Sequence, residues 1–484
     1  MTQTDLIAIL PLLVLVGWAL VVMLVDLWIP AHRKGITAVL AAIGLAATLV
    51  LTVLQWSRMG AASTAFFGMF TLDGFSLFVD IIVVAAGLMT LALAYDYVKR
   101  MDMNGGTFYL LLMFSISGMM LMAHANDLIL VFLALELLSI PLYVMAGLHR
   151  GNVRSEEAAL KYFLLGAFAS GFVLYGVALV FGATAHTDFP GIIAAAANPS
   201  SLAPLFLVGA VMMVIGFGFK VAAVPFQWWT PDVYQGAPTP VSAFMSVAVK
   251  AAGFAALFRV FMTAFPSLAG DLTPFFYGLA VLTMLVGNVV AVAQTNIKRL
   301  LAYSSIAQAG YILMAFVPFG TPAMGSEVVA SALFFLGGYA LASLGAWSVV
   351  IAVEQQEGKG LEIADFAGLG RKYPWLGAAM LIFMLSFTGM PLTLGFWGKF
   401  FLFRSVITGG YWVLALIGLI LSIVSAFYYL RVVVVMFMKE GEGSLKLEPW
   451  LMIVAGFTAV ALVVLSLFPN GLLLAASQAL MLMQ

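Results

Sequence analysis

The chain has 484 residues; 64% are hydrophobic, 9% are charged and the formal net charge is zero. Soluble domains carry about 25% charged residues, so this composition excludes a soluble globular enzyme, and the lack of a basic surplus excludes a nucleic-acid binder. With no cysteine, thiolate-held iron–sulfur clusters, c-type haem attachment and disulfides are excluded too.

The four histidines, His32, His124, His149 and His186, fall in or beside loops, so a haem held by two histidines on membrane helices is not expected. No GxxxxGKS/T sequence points to ATP hydrolysis. The opening MTQTDLIAIL has neither a basic stretch nor a small-residue cleavage site, so the first helix is expected to be retained.

Apolar runs of about 20 residues, enough to cross a bilayer, follow one another along the chain. Backbone polar groups in lipid must be satisfied internally, so continuous runs of this kind predict helices. The first three spans are 5–26, 35–56 and 75–95, with Asp80 a few residues inside the third and no role assigned to it. The next three are 107–123, 127–147 and 157–182. Glu136 sits about nine residues into the fifth, which at 1.5 Å per residue is roughly mid-bilayer.

The seventh span, 202–229, carries Lys220 and then Pro225; Pro231, Pro238 and Pro240 follow. The eighth, 238–264, holds Lys250 at its centre and Arg259 further on. The next three are 272–296, 300–318 and 325–353. The twelfth, 373–404, contains Gly389, Pro391, Gly395 and Gly398 just before Lys399, and 410–438 and 447–479 complete fourteen. Proline removes a backbone donor and clashes with the preceding turn. Membrane helices tolerate such breaks where protein or a water cavity covers them, and matching broken segments in two halves of a transporter point to its ion path.

The two breaks lie five spans apart. Five is odd, so tandem five-helix units must be inverted. The expected fold is an all-α polytopic membrane protein of about fourteen transmembrane helices, with inverted repeats over spans 4–8 and 9–13 and with helices 7 and 12 broken. The corresponding segments are residues 1–106 (three helices), 107–264 (first repeat), 265–438 (second repeat) and 439–484 (a last helix).

Basic residues then orient the bundle. Arg33, Lys34, Lys99, Arg100, Arg150, Arg154, Lys161, Lys298, Arg299, Lys359, Arg371, Lys372, Lys439 and Lys446 fall on one side. Arg58 and Arg404 fall on the other, and the loops at 183–201, 265–271 and 319–324 contain no Lys or Arg. The positive-inside rule makes the basic face cytoplasmic. An even number of spans places both termini on the periplasmic side of a bacterial inner membrane.

Five basic residues remain inside spans: Lys220, Lys250, Arg259, Lys399 and Arg431. A charge at the bilayer centre costs roughly 2.5–3.5 kcal/mol on insertion scales, so Glu136, Lys220, Lys250 and Lys399 are the candidate functional residues. Glu136 reads either as a protonated acid packed in the bundle, or as a proton carrier or the carboxylate partner of a lysine. Lys250 is too deep to snorkel. Arg259 and Arg431 read as snorkelling or structural charges, and Glu157 with Lys161 as an i,i+4 surface pair. Trp228 and Trp229 read as an interface belt, the methionines as core filler, and the Gly166 to Ser170 spacing as close helix packing.

Four segments together resemble the antiporter-like membrane subunits of respiratory complex I, the NADH-quinone oxidoreductase. They are FLALELLSIPLY (132–143), GFGFKVAAVPFQWWTPDVYQGAPTPVSAF (216–244), QTNIKRLLAYSSIAQAGY (294–311) and GMPLTLGFWGKF (389–400). The N-type branch fits best. The chain ends after span fourteen without a lateral helix, the eleventh span has no histidine, and span twelve carries Lys399 where the M-type has a glutamate.

The resemblance implies a buried proton relay of Glu136, Lys220, Lys250 and Lys399. A proton enters from the cytoplasm through the first five-helix unit, follows a hydrated central axis and leaves through the second. Moving the Glu136 carboxylate relative to Lys220 would switch that lysine between holding and releasing a proton. This chain carries no redox active site or cofactor. The resemblance places FMN, iron–sulfur clusters and quinone in partner subunits, makes other complex I membrane subunits and the lipid bilayer the partners, and makes quinone reduction elsewhere the driving force. The alternative is a subunit of an Mrp-type cation/proton antiporter or of a membrane-bound hydrogenase; a solute transporter is a third class, without a substrate-selective pattern to support it.

Overall fold

A computed structural model of the chain describes residues 3–197, 203–320, 324–355, 359–441, 445–479 and 481. Parts of the 183–201 and 319–324 loops therefore lie outside the described residues. All fourteen expected spans are helical. Among the described residues, twelve helices are long and apolar enough to cross a membrane. The other two spans are the tenth, Ile297–Leu313, and the twelfth, which is split into Pro374–Thr388 and Leu394–Thr408.

Packing separates a core from a rim. Span eight, Thr239–Ala264, is buried throughout, and span eleven, Gly325–Val353, nearly so. Spans one, two, six, nine, thirteen and fourteen leave more than half of their residues unburied, as helices facing lipid must. Close approach is achieved with small residues: Gly118 in span four lies against the backbone of Leu137 and Leu138 in span five.

The inverted repeat is visible in backbone hydrogen bonds. Leu128 N, at the start of span five, donates to Thr187 O at 2.9 Å, and Phe189 N donates back to Asn126 O at 3.2 Å. At the start of span ten, Ile297 N donates to Leu361 O at 2.8 Å, and Ile363 N donates to Thr295 O at 2.8 Å. Asp127 caps span five by accepting from Ile129 and Leu130 N, and Asn296 caps span ten by accepting from Lys298 and Arg299 N. Each cap satisfies amides that a helix start leaves unpaired. The same device thus recurs five spans later, on opposite faces of the bundle.

Both breaks fall where the prolines and glycines placed them. Span seven runs Ala203–Val221, unwinds over 222–228 with Ala222 at φ +62°, and resumes as Trp229–Gly236, seven residues beyond the expected end at 229. Span twelve unwinds over 389–393, with Gly389 at φ +85° and Leu392 at φ +69°. The freed backbone is satisfied internally: Val224 N donates to Thr283 Oγ1 at 2.9 Å, and Trp229 Nε1 donates to Phe219 O at 2.9 Å.

Several features were not anticipated. Span fourteen is itself interrupted, with Pro449–Leu467 and Pro469–Gln478 meeting at Phe468, because Pro469 cannot continue the first helix. A short helix, Phe189–Ala196, lies in the loop before span seven. A two-stranded hairpin, Ser63–Ala65 with Phe70–Leu72, sits between spans two and three. Trp228 is exposed as an interface residue should be, but Trp229 is buried and stacks on Tyr162 at 4.6 Å, so only one of the pair marks the belt.

Candidate proton-relay site

Span five brings Glu136 and Ser139 one turn apart along the bundle. Lys220, the penultimate residue of span seven's first half, reaches across and donates to Ser139 Oγ at 2.6 Å. The Tyr143 and Tyr162 rings flank the ammonium, with centroids 5.4 and 5.6 Å away, near enough for cation–π attraction. Among the described residues, no ion pair joins Lys220 to Glu136. The carboxylate is close enough to act on Lys220 through its field, and its Oε1 is buried without a protein partner. Of the readings open for Glu136, a direct ion pair with Lys220 is not the arrangement found: Ser139, one turn along span five from Glu136, takes the ammonium.

Lys250 lies in span eight just after a π-helical turn, Met245–Val249, and donates to the carbonyl oxygen of Ser305 in span ten. Ser246 and Ser343 bond each other at 2.9 Å nearby, and Tyr234 and Tyr339 approach Ser305 from spans seven and eleven. Ser305 follows its cap Asn296 by the same nine positions that separate Glu136 from Asp127. The second repeat thus puts a serine where the first has its acid.

Lys399 sits on the half of span twelve that follows the break, whereas Lys220 sits on the half that precedes its own. Its ammonium donates to Phe387 O at 2.9 Å, Thr388 O at 3.0 Å and Ser422 Oγ at 2.7 Å, so it caps the carbonyls the break leaves free. Tyr311 lies beneath it at 4.6 Å. Gln308, Tyr339, Ser386 and Phe387 line a small cavity beside it, about the size of one water. Gln308 Nε2 bonds both Phe387 O and the Tyr429 hydroxyl at 3.1 Å.

The three lysines do not touch one another. All three are buried, 2%, 2% and 5% exposed, and neighbours link them into a polar line: Gly253 of span eight lies against Lys220, Ser305 of span ten binds Lys250, and Gln308, one turn on, shares the Phe387 carbonyl with Lys399. Among the described residues the buried Tyr162 hydroxyl has no hydrogen-bond partner, and the Tyr143, Tyr234 and Tyr311 hydroxyls lie only within loose reach of Ser139, Ser305 and Ser422, as suits a water-bridged path, since an unsatisfied buried polar group is costly.

Residues 125–425 match the family model described as NADH:quinone oxidoreductase/Mrp antiporter, TM. The chain is 44% identical over 90% of its length to NADH-quinone oxidoreductase subunit N of Trichlorobacter lovleyi, covering 88% of that protein. It is 45% identical over 91% of its length to the subunit N of Chloroflexus aggregans, covering 89% of that protein. The chain belongs to the antiporter-like membrane subunit family of complex I, in its subunit N branch. A chain of the Thermus thermophilus respiratory complex I with bound Aureothin has the same fold, with a TM-score of 0.82 at 36% identity, covering 97% of this chain and 99% of that one. A chain of the Mrp complex from Dietzia reaches a TM-score of 0.85 at only 19% identity, over 99% of this chain and 97% of that one, and shares the fold alone.

Sequence reasoning missed several polar residues of this subunit N relative. Ser139, Ser305, Gln308, Ser422 and Tyr429 gave no warning, because a lone hydroxyl or amide in a span costs far less than a charge. One signal was available: Thr239, Ser242, Ser246 and Lys250 recur every three or four residues and so share one face of span eight. That face starts at a basin of about 670 Å³ on the basic side, lined by Tyr97, Arg100, Arg154, Lys298 and Glu354.

The other in-span charges have structural partners. Arg259 does not snorkel; it is fully buried, with Nη2 2.5 Å from Asp73 Oδ1 and Nε on Ala123 O. Arg431 donates to the Val292 and Gln294 carbonyls at the end of span nine. Glu157 and Lys161 form the expected surface pair at 2.6 Å. Lys161 also reaches Asp232 at 2.8 Å, and Arg299 reaches it from the other side at 2.8 Å.

Proposed function

We propose that this chain is the proton-translocating N-type membrane subunit of an NADH-quinone oxidoreductase. Glu136, Lys220, Lys250 and Lys399 carry the proton, and quinone reduction elsewhere in the complex drives it. The reading rests on one observation above all: three lysines buried on a single polar line, each held by neutral oxygens rather than by a neutralising carboxylate. A structural lysine at this depth would be expected to have an acid beside it. Lysines whose hydrogen bonds go to hydroxyls and carbonyls can lose and regain a proton without breaking a direct ion pair.

The proton enters at the basic face, taken as cytoplasmic, through the first repeat (107–264), and leaves through the second (265–438). Both termini lie on the periplasmic side of a bacterial inner membrane. The partners are other membrane subunits of the complex, and FMN, iron–sulfur clusters and quinone belong to subunits other than this one. Glu136 lies on the helix that also presents Ile129, Leu133, Leu137 and Ile140 outward, so its field can respond to a neighbour in the membrane. The test is Lys220→Ala in the assembled complex: protons moved per NADH, or NADH oxidation itself, should fall. Wild-type values for both would overturn the assignment.

A further inference from the structure

A second buried titratable pair takes no part in the lysine line. His124 is the last residue of span four, Gly105–His124, and Asp80 lies in the second turn of span three, Gly74–Arg100; their side chains are 3% and 1% exposed. His124 Nε2 is 2.9 Å from Asp80 Oδ2, and Nδ1 is 2.7 Å from the Thr71 carbonyl oxygen. A carbonyl only accepts, so Nδ1 must carry a proton. The Nε2–Oδ2 contact then needs one more proton, held either on nitrogen, as imidazolium facing carboxylate, or on oxygen, as a carboxylic acid donating to neutral imidazole. Removing it sets two lone pairs against each other around a buried net charge, and adding a second buries a net charge of the other sign. Burial therefore keeps the count at one.

The surroundings are consistent with a proton station. Arg259 and Asp73, at the start of the same helix, neutralise each other, and His124 is the charged group that acts on Asp80. Asp80 Oδ1 is buried and has no partner among the described residues, so one carboxyl oxygen is available to pass a proton on. Phe70 of the hairpin stacks on the imidazole at 4.4 Å, nearly parallel, and closes the pair off from the non-basic face. The hairpin tip is strained: Phe66, Phe67 and Gly68 take φ of +50°, +56° and +87° in succession. It is tied down by Asn126, which donates from Nδ2 to Gly68 O at 2.9 Å and from its backbone N to Met69 O at 2.8 Å. The next residue, Asp127, caps span five, the helix that carries Glu136 and Ser139.

We propose that His124 and Asp80 form a one-proton station at the non-basic ends of spans three and four, a second outlet in addition to the path through the second repeat, with the hairpin as its cover. This rests on the proton-translocation reading above. When the cover lifts, the shared proton passes from Asp80 to water and leaves a carboxylate facing neutral imidazole. A proton arriving from within the bundle restores the bond. Nothing is oxidised or reduced. Because Asn126 joins the cover to the cap of span five, a shift of that helix is the motion that opens it.

The test uses the assembled complex in sealed vesicles. Turnover-induced infrared difference spectra on aspartate-labelled complex should contain a carboxyl signal that is lost in Asp80→Asn and retained, at a shifted frequency, in Asp80→Glu. Proton release per NADH should fall in Asp80→Asn at a normal level of assembly. Asn126→Ala, which only loosens the cover, should speed hydrogen–deuterium exchange at that carboxyl. If Asp80→Asn does not assemble, the wild-type and Asn126→Ala spectra decide alone, and an exchange rate unchanged by Asn126→Ala overturns the station. Wild-type proton release from Asp80→Asn also overturns it, while loss of pumping in Lys220→Ala leaves the translocation reading standing. Normal pumping in Lys220→Ala defeats that reading independently of this one.

Discussion

Ser139 is the residue on which the first lysine depends, and Ser139→Ala is the informative change. The substitution removes one oxygen and leaves the backbone and volume of span five nearly unchanged. The lost contact is a 2.6 Å bond from an ammonium that is 2% exposed. A hydrogen bond to a charged group contributes about 1.5–3 kcal/mol, which is about one to two factors of ten in an equilibrium. The Tyr143 and Tyr162 rings remain at 5.4 and 5.6 Å and keep part of the attraction. Occupancy of the Lys220–span five contact should therefore fall by about 10–100-fold, and any proton transfer that uses it should slow in proportion. The assay is proton uptake per NADH oxidised, by the complex in sealed vesicles with a pH dye. Ser139→Ala should pump slowly and Ser139→Thr, which keeps the hydroxyl, should pump nearly normally. If Ser139→Ala pumps like wild type while Glu136→Gln does not, the carboxylate holds Lys220 directly and the hydroxyl bridge is wrong.

Two further outcomes follow from the ion pairs. Asp73→Ala strands the Arg259 guanidinium in a dry site and should destabilise the subunit by about 3–5 kcal/mol, seen as faster heat inactivation of the complex; pairing it with Arg259→Met should recover most of the loss. The Lys161–Asp232–Arg299 tie holds the second half of span seven to spans six and ten. Asp232 accepts from Lys161 and Arg299 together, so removing its charge releases both. Hydrogen exchange over Trp229–Gly236 should be faster in Asp232→Asn than in the wild type at the same neutral pH; an unchanged rate would mean that the tie does not hold this segment.

The parts of the fold legible in the sequence are those that lipid makes expensive. An uninterrupted apolar run has one solution, so the fourteen spans followed from hydropathy. Proline and glycine at membrane depth have few, so both breaks fell where Pro225 and Gly389 stand. Lys220, Lys250 and Lys399 stood out for the same reason. What stayed hidden was cheap. Ser139, Ser305 and Gln308 cost little wherever they sit, and only the packing of spans five with seven, eight with ten and ten with twelve gives them roles. The Asp80–His124 contact joins residues 44 positions apart on different helices, which no local pattern reveals. Trp229 misled because a tryptophan beside an interface and one beneath a broken helix are identical in sequence. The repeat was inferred from helix order, and its physical trace lies in backbone bonds at Leu128 and Ile297 that carry no side-chain signature.

Lys250 is the link between the two halves of the line, bonded to Ser305 across the repeat boundary. Replacing it with methionine keeps the volume and removes the proton-carrying nitrogen. Protons translocated per NADH by the complex containing Lys250→Met, measured in sealed vesicles at wild-type levels of assembly, should fall together with coupled NADH oxidation. Undiminished translocation at an undiminished rate would mean that protons do not pass through the middle of this bundle.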